Sequence, residues 1–369
     1  MGIDAIFNAH NWAPVPFHFW SLAFFMLGCI VGSFLNVCIY RLPLGVSIVA
    51  PKSHCPHCKY SIPWFLNIPL VTWLMLRGRC KNCGAPISPR YFVVELLTGA
   101  AFLACWLAFG RTSAALALVY AVFISGMIVA TFIDFEHFII PDEITLGGAV
   151  AGFAASFFLP ALQNARTLGE GMARSLLGAV VGAGIIYAIL RLGKLLFGRQ
   201  RVKLPLDTKI VFTETSVRLP DKEIPYEELF YRKSDVIVMR ARTVELVDRG
   251  YADTTVRLSP AALEIGGEKI DPATVPYLEA VSAEIVLPRE AMGLGDVKFM
   301  GAIGTFIGWQ GVLFSLMLSS MVGATVGVTL IALRRRQWSS RMPYGPYIAM
   351  AAVLWIFYGK EIVRAIFGI

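Results

Sequence analysis

Charged residues are scarce in this sequence: Asp, Glu, Lys and Arg make up 16% of 369 residues, while 56% are hydrophobic. Soluble domains carry roughly a quarter charged residues. The shortage excludes an ordinary soluble globule and puts most of the chain in lipid. Acidic residues are scarcer still in the apolar stretches. Sixteen of the 25 fall between Arg199 and Glu290, so the formal charge of +8 divides into a window near −2 and a remainder near +10. Basic loops held at one face of a bilayer account for that division, and a nucleic-acid groove does not. The N-terminus through Pro16 has neither a basic n-region nor a small-residue cleavage site, so the first apolar run is expected to persist in the mature chain. Internal repeats, low-complexity tracts and a Gly-rich nucleotide-binding fingerprint between strand and helix are all missing.

Long apolar runs are what the sequence does have. They predict membrane helices near 18–40, 92–109, 113–133, 143–162, 173–197, 311–333 and 345–367. A shorter Gly-rich run at about 296–309 is either an eighth span or a re-entrant segment. Arg41, Lys52, Lys59, Arg77, Arg79, Lys81 and Arg90 occupy the first loop without one acid, and Arg334, Arg335 and Arg336 close the seventh span. The positive-inside rule puts both in the cytoplasm and the N-terminus outside. The expected protein is therefore an α-helical polytopic membrane protein of about eight transmembrane helices, interrupted by two cytoplasmic modules. Its segments are a first helix in 1–40, a four-cysteine loop domain in 41–91, helices two to five in 92–198, an inserted acidic domain in 199–290 and helices six to eight in 291–369. Period-2 runs at Ile210 to Val217 and Val236 to Val247, and a turn at Gly266-Gly267, make the insert mostly β.

Seven cysteines divide into two sets. Cys29, Cys38 and Cys105 lie in apolar runs, where a thiol behaves as a small hydrophobe. Cys55-Pro-His-Cys58 and Cys80-Lys-Asn-Cys83 are two CxxC pairs separated by 21 residues. Each pair turns two sulfurs toward one ion, and two pairs complete a four-thiolate zinc site with no open position, hence a structural one. A redox dithiol is the competing reading, with His54 and His57 as neighbours rather than ligands.

Two aspartates end apolar runs at the same expected face. Asp134 closes the third span in Thr131-Phe-Ile-Asp134, and Asp296 opens the short span in Gly293-Leu-Gly295-Asp296-Val-Lys298. Two carboxylates brought close share one proton, so one donates while the other activates water. Gly293 and Gly295 allow close approach of a substrate strand. Asp296 and Asp142 have an alternative role as helix N-caps. Asp134 does not, because it ends a helix where negative charge opposes the macrodipole. Glu136, Asp142 and Glu143 compete for the catalytic role by proximity. Glu95, one turn into the second span, needs a partner such as Arg90 or else supports the site.

These blocks resemble the type IV prepilin peptidases, bifunctional leader peptidases and N-methyltransferases among the GxGD membrane aspartyl proteases. The resemblance rests on Gly32 to Pro43, the cysteine tetrad, Ser88 to Gly99, the Asp134 block, Gly293 to Lys298 and, more weakly, Pro343 to Ala349. It implies Asp134 and Asp296 as the catalytic pair, and Gly293, Gly295, Lys298 and Glu95 are read beside them as supporting residues. It further implies cleavage of a basic leader from prepilins or type II secretion pseudopilins at the cytoplasmic face of a bacterial inner membrane. Methylation of the new N-terminus from S-adenosylmethionine also follows from the resemblance, with no residues assigned, as does contact with pilus or type II secretion assembly proteins. A non-catalytic assembly or transport protein is one competing reading, although a proton path would spread its ionisable groups through the bilayer. A GxGD protease with another substrate is a second, although such relatives do not predict the cysteine loop. The insert at 199–290 is longer than the family pattern leads one to expect. It is read either as a solvated appendage or as an acidic dock for a basic leader.

Overall fold

In lipid every backbone N–H and C=O must find its partner within the protein, so apolar runs become helices. A computed structural model describes residues 16–197, 199–220, 222–226, 229–230, 235–246, 248–288, 293–333 and 342–367. Arg334, Arg335 and Arg336, which carry part of the expected orientation, lie outside the described residues, as do residues 1–15 and Glu290 at the expected end of the insert.

In chain order the helices are α1 (Phe17–Arg41), α2 (Val71–Met75), α3 (Pro89–Phe109), α4 (Ala114–His137), α5 (Asp142–Phe158), α6 (Leu168–Phe197), α7 (Leu294–Ala332) and α8 (Gly345–Phe367). Among the described residues five of these, α1, α3, α4, α6 and α7, are long and apolar enough to cross a membrane, and α8 carries a shorter apolar stretch, Gly345–Gly359. The run expected at 143–162 is shorter than it looked: α5 stops after 17 residues, and Pro160 opens a separate 3-10 turn through Gln163. Proline has no N–H to continue the ladder.

The runs expected at 296–309 and 311–333 join into the single element α7, broken at Gly308, whose φ of 69° and ψ of 176° are not helical. A break at 308 strips the carbonyl of Thr305 of its intrahelical donor. That oxygen instead accepts from Gln163 Nε2 at 2.6 Å, Ser175 Oγ at 3.0 Å and Ser156 Oγ at 3.2 Å. Three side chains thus satisfy one orphaned group in an apolar surrounding, which is how a broken membrane helix is tolerated. Close packing elsewhere depends on small residues. A Cβ at Gly28 of α1 would stand 2.7 Å from the Thr98 carbonyl of α3, so only glycine lets these two helices approach as they do.

Residues 187–293 form a second compact unit. Its strands are β1 (Arg199–Lys203), β2 (Lys209–Phe212), β3 (Ser216–Leu219), β4 (Lys222–Pro225), β5 (Ile237–Leu246), β6 (Gly250–Leu258), β7 (Leu263–Ile265), β8 (Glu268–Ile270), β9 (Leu278–Val281) and β10 (Glu284–Pro288). Neighbours run β4-β3-β2-β9-β5-β6-β7-β8, and β10 joins β1 to β5. One edge of β5 therefore changes partner, from β10 at Val238 and Met239 to β9 at Thr243 to Leu246. Alternation buries Ile210, Phe212, Val217, Met239, Val244 and Ile285 on the core face. The expected turn at Gly266-Gly267 joins β7 to β8 with φ of 60° and 97°, values that glycine adopts freely. The run from Ile210 to Val217, expected as one strand, is two. Thr213 Oγ1 accepts the N–H groups of Thr215 and Ser216 and turns the chain between β2 and β3.

Candidate active site and four-cysteine cluster

Asp134 sits in the last turn of α4, only 6% exposed. The helix ends at Phe138, which adopts a left-handed conformation and returns its N–H to the Asp134 carbonyl. Across 211 residues of sequence, the N–H of Gly345 donates to Asp134 Oδ2 at 2.8 Å. Gly345 is the first residue of α8, so its N–H has no intrahelical acceptor and is free for this bond. Glycine is required by contact: a Cβ there would lie 2.8 Å from the same oxygen and 3.2 Å from Ile140 Cδ1.

Asp296 occupies the first turn of α7 and is half-buried. Ile140 relates it to Asp134, because a Cβ added at Gly295, directly before Asp296, would stand 3.7 Å from Ile140 Cβ, and one added at Gly345, which holds Asp134, would stand 3.2 Å from Ile140 Cδ1. Two residues onward, Lys298 Nζ bonds both carboxylate oxygens of Asp142, at 2.7 and 3.0 Å. Asp142 is the first residue of α5, makes no side-chain cap, and has Pro141 before it. Its ion pair ties the start of α7 to the segment that follows Asp134. Glu136 is engaged too: Arg90 Nη1 contacts both of its oxygens, at 2.5 and 2.6 Å. Two of the three competing carboxylates are thus bound to cations, and the third, Glu143, is exposed.

Gly293 is exposed at the start of its described segment. Glu95 does not meet Arg90. It is buried at 8% and accepts the N–H of Leu70 at 2.7 Å, which fastens the cysteine loop to α3. The bond from Gly345 escaped sequence reading. Its one available signal was a glycine between Tyr344 and Pro346 at the head of an apolar run.

The four cysteine sulfurs all lie within 4.8 Å of one another. Cys55 Sγ stands 3.9 Å from Cys83 Sγ, and Cys58 Sγ 4.0 Å from Cys80 Sγ. These separations are far beyond the roughly 2.05 Å of a disulfide. They match the edge, about 3.8 Å, of a tetrahedron with metal–sulfur bonds of about 2.3 Å. Both halves are built alike. Lys59 donates its N–H to the Cys55 carbonyl and Gly84 donates to the Cys80 carbonyl, each with positive φ, 58° and 72°. Asn82 Nδ2 donates to Cys58 Sγ at 3.5 Å. That bond, helped by the backbone at Tyr60, pulls the Cys58 thiol down to about 6, favouring the thiolate that binds metal. The cluster can hold a metal ion.

The type IV leader peptidase family matches residues 121–204 and 273–328, and the bacterial Peptidase A24 N-terminal domain matches residues 26–109. The chain belongs to the type IV leader peptidase family. Asp134, Asp296 and all four clustered cysteines fall inside the matched segments, and β2 to β8 fall in the gap between 204 and 273. Three proteins called prepilin leader peptidase/N-methyltransferase are similar to this leader peptidase family member. That of Myxococcus xanthus is 50% identical over 133 residues, 36% of this chain and 39% of the relative. That of Aeromonas hydrophila is 28% identical over 381 residues, covering 95% and 94%. That of Pseudomonas aeruginosa is 26% identical over 364 residues, covering 92% and 90%. No solved structure matched the chain.

Proposed function

We propose that this chain is a membrane aspartyl endopeptidase that removes the basic leader of type IV prepilins or type II secretion pseudopilins, with Asp134 and Asp296 as its catalytic pair. The observation that carries the reading is the bond from Gly345 to Asp134, with Ile140 among the nearest neighbours that a side chain at either Gly345 or Gly295 would meet. The N–H of Gly345 stabilises negative charge on Asp134 Oδ2, so in this reading Asp134 is the base of the pair. Asp296 then carries the shared proton. Water attacks the scissile carbonyl carbon, its proton passes to Asp134, and Asp296 donates to the carbonyl oxygen. Collapse of the tetrahedral intermediate returns a proton to the leaving amine. Ser or Cys nucleophiles have no part in this scheme.

The names of the relatives support a second activity, N-methylation of the new N-terminus from S-adenosylmethionine, for which no residues are assigned. The cysteine cluster is proposed to hold structural Zn²⁺ through Cys55, Cys58, Cys80 and Cys83, folding a loop too small for a core of its own. The helices α7 (in two halves about Gly308), α8 and the other apolar segments make about eight spans of a bacterial inner membrane. The N-terminus is periplasmic, with the cysteine loop, the two aspartates and the 199–290 insert facing the cytoplasm. Gly293, Gly295, Lys298 and Glu95 act in support. Pilus or secretion assembly proteins are the expected partners beyond the substrate and lipid.

The test is incubation of the purified chain in lipid with a prepilin carrying its leader, read by mass spectrometry. The expected result is one new N-terminus immediately after the leader glycine, with an added methyl group when S-adenosylmethionine is supplied. Intact substrate after prolonged incubation with well-folded protein contradicts the reading.

A further inference from the structure

From Arg41 to Tyr91 the chain holds seven Lys or Arg and no Asp or Glu. Two of the seven are engaged by the protein: Arg41 donates to the carbonyls of Ser47 and Pro51, and Arg90 binds Glu136. Lys52, Lys59, Arg77, Arg79 and Lys81 are exposed, and among the described residues none of the five forms an ion pair. Apolar side chains are turned outward in the same loop. Trp64 is 82% exposed, Met75 77% and Leu74 58%, with Phe65, Ile68 and Val71 nearly half exposed. Lys81 Nζ stands 6.0 Å from the Phe65 ring, so cation and apolar surface adjoin.

The helix α2 is oriented against the habit of a water-facing helix. Trp73 packs beside Phe92 of α3 with ring centroids 5.2 Å apart, while Val71, Leu74 and Met75, at i, i+3 and i+4, are exposed. Its depth is fixed by Leu70, whose N–H bonds Glu95. Glu95 lies six residues into α3, about 9 Å along its axis from Pro89. The patch therefore runs alongside the first turns of a membrane-crossing helix, and Val93, Leu96 and Leu97 of α3 are themselves exposed. Exposed apolar surface on α2 continues into the exposed apolar surface of α3.

We propose that residues 64–76 are an interfacial anchor, lying in the headgroup boundary of an anionic lipid leaflet beside α3. Trp at the headgroup level, apolar residues below it and free Lys and Arg around it are the composition such an anchor requires. Charge selects the occupant. A basic leader peptide meets this acid-free loop as like charge, and a second copy of the chain would bring the same positive surface. An anionic leaflet satisfies the cations and the apolar face together. The anchor holds the cysteine cluster at a fixed height and, through Arg90 and Glu136, sets the loop's end against the helix that carries Asp134.

The test uses the full chain in nanodiscs. The sequence has eight Trp, so the contribution of Trp64 is the emission of the wild type less that of Trp64→Phe. Lipids brominated at the headgroup end of the acyl chain should quench about half or more of that contribution in discs containing phosphatidylglycerol. Iodide in the water should quench little of it. Replacing Lys52, Lys59 and Lys81 together by Gln should lower the bromine quenching, as should discs of phosphatidylcholine alone. Met75→Trp in the Trp64→Phe background gives a second reporter, with thermal unfolding as the check of fold. Trp64 emission open to iodide and untouched by bromine overturns the proposal, and so does bromine quenching unaffected by lipid charge. Shielding that appears only with added prepilin assigns the patch to substrate. Shielding only with two copies per disc assigns it to self-association. Either result also overturns the lipid anchor.

Discussion

Charge is handled in opposite ways by the two compact units. In the β unit, Arg218 and Glu223, Arg242 and Asp207, and Arg249 and Glu268 pair at the surface, where water screens both partners and the pairs contribute little to stability. In the helical unit Asp134, Glu95 and Arg41 are each less than a tenth exposed, and each is met by backbone: the Gly345 N–H, the Leu70 N–H and the Ser47 and Pro51 carbonyls. Burying an ionisable group is costly, so its retention with a dedicated backbone partner marks a position that the protein uses. The β unit owes its stability to an alternating apolar core, and its surface pairs can be rearranged freely, whereas Asp235, 4% exposed and bound by Lys194 at 2.7 Å, is the exception. The helical unit cannot exchange its buried charges for others without loss.

Four substitutions break or sharpen this contrast. The largest effect is expected at Gly345→Ala, whose methyl group must displace Asp134 Oδ2. Cleavage should fall about a hundredfold through kcat, with KM little changed, as for loss of a single active-site backbone donor. A rise in KM with unchanged kcat would instead place Gly345 in substrate binding. Next, Cys58→Ser or Cys80→Ser should leave the four-sulfur cluster unable to retain a stoichiometric metal, and the 41–91 loop should become protease-sensitive. Metal analysis with limited proteolysis reads this, and a loop equally resistant without metal shows the cluster to be dispensable. Third, Lys298→Gln frees Asp142 and loosens the start of α7, for an expected loss of about tenfold in cleavage. The exchange Lys298→Asp with Asp142→Lys should recover most of that loss, and failure of the exchange to recover any would assign Lys298 a role beyond the pair. The smallest effect on activity is expected at Ile285→Asp, which buries a charge in the β core. It should cost the sheet about 3–5 kcal/mol. Prepilin cleavage should change less than about twofold if the insert is an appendage. A large loss of cleavage, especially one sensitive to salt, identifies the insert as an acidic dock for the leader.

Much of this contrast was legible before the structure because local pattern carries it. Apolar run length marks membrane helices, CxxC spacing marks the cysteine cluster, and Gly266-Gly267 marks a hairpin. What was not legible depends on contacts remote in sequence or on where a face points. The bond from Gly345 to Asp134 and the pairing of Arg90 with Glu136 rather than Glu95 have no local periodicity to announce them. The fusion of two apolar runs into α7 depends on Gln163, Ser156 and Ser175 meeting one carbonyl from other elements. Trp64 and Met75 read as loop residues in the sequence, and only their exposure beside α3 gives them a meaning.

The central claim is that Asp134 and Asp296 together cut the peptide bond while the neighbouring carboxylates only hold the site in place. The most direct measurement is single-turnover cleavage of a prepilin by the chain in lipid, comparing Asp134→Asn and Asp296→Asn with Glu136→Gln, Asp142→Asn and Glu143→Gln. The dyad requires either of the first two substitutions to lower the cleavage rate at least about a thousandfold with the protein still folded, and each of the last three by about tenfold or less. Near-normal cleavage by folded Asp134→Asn or Asp296→Asn, or a thousandfold loss at Glu143→Gln, contradicts it.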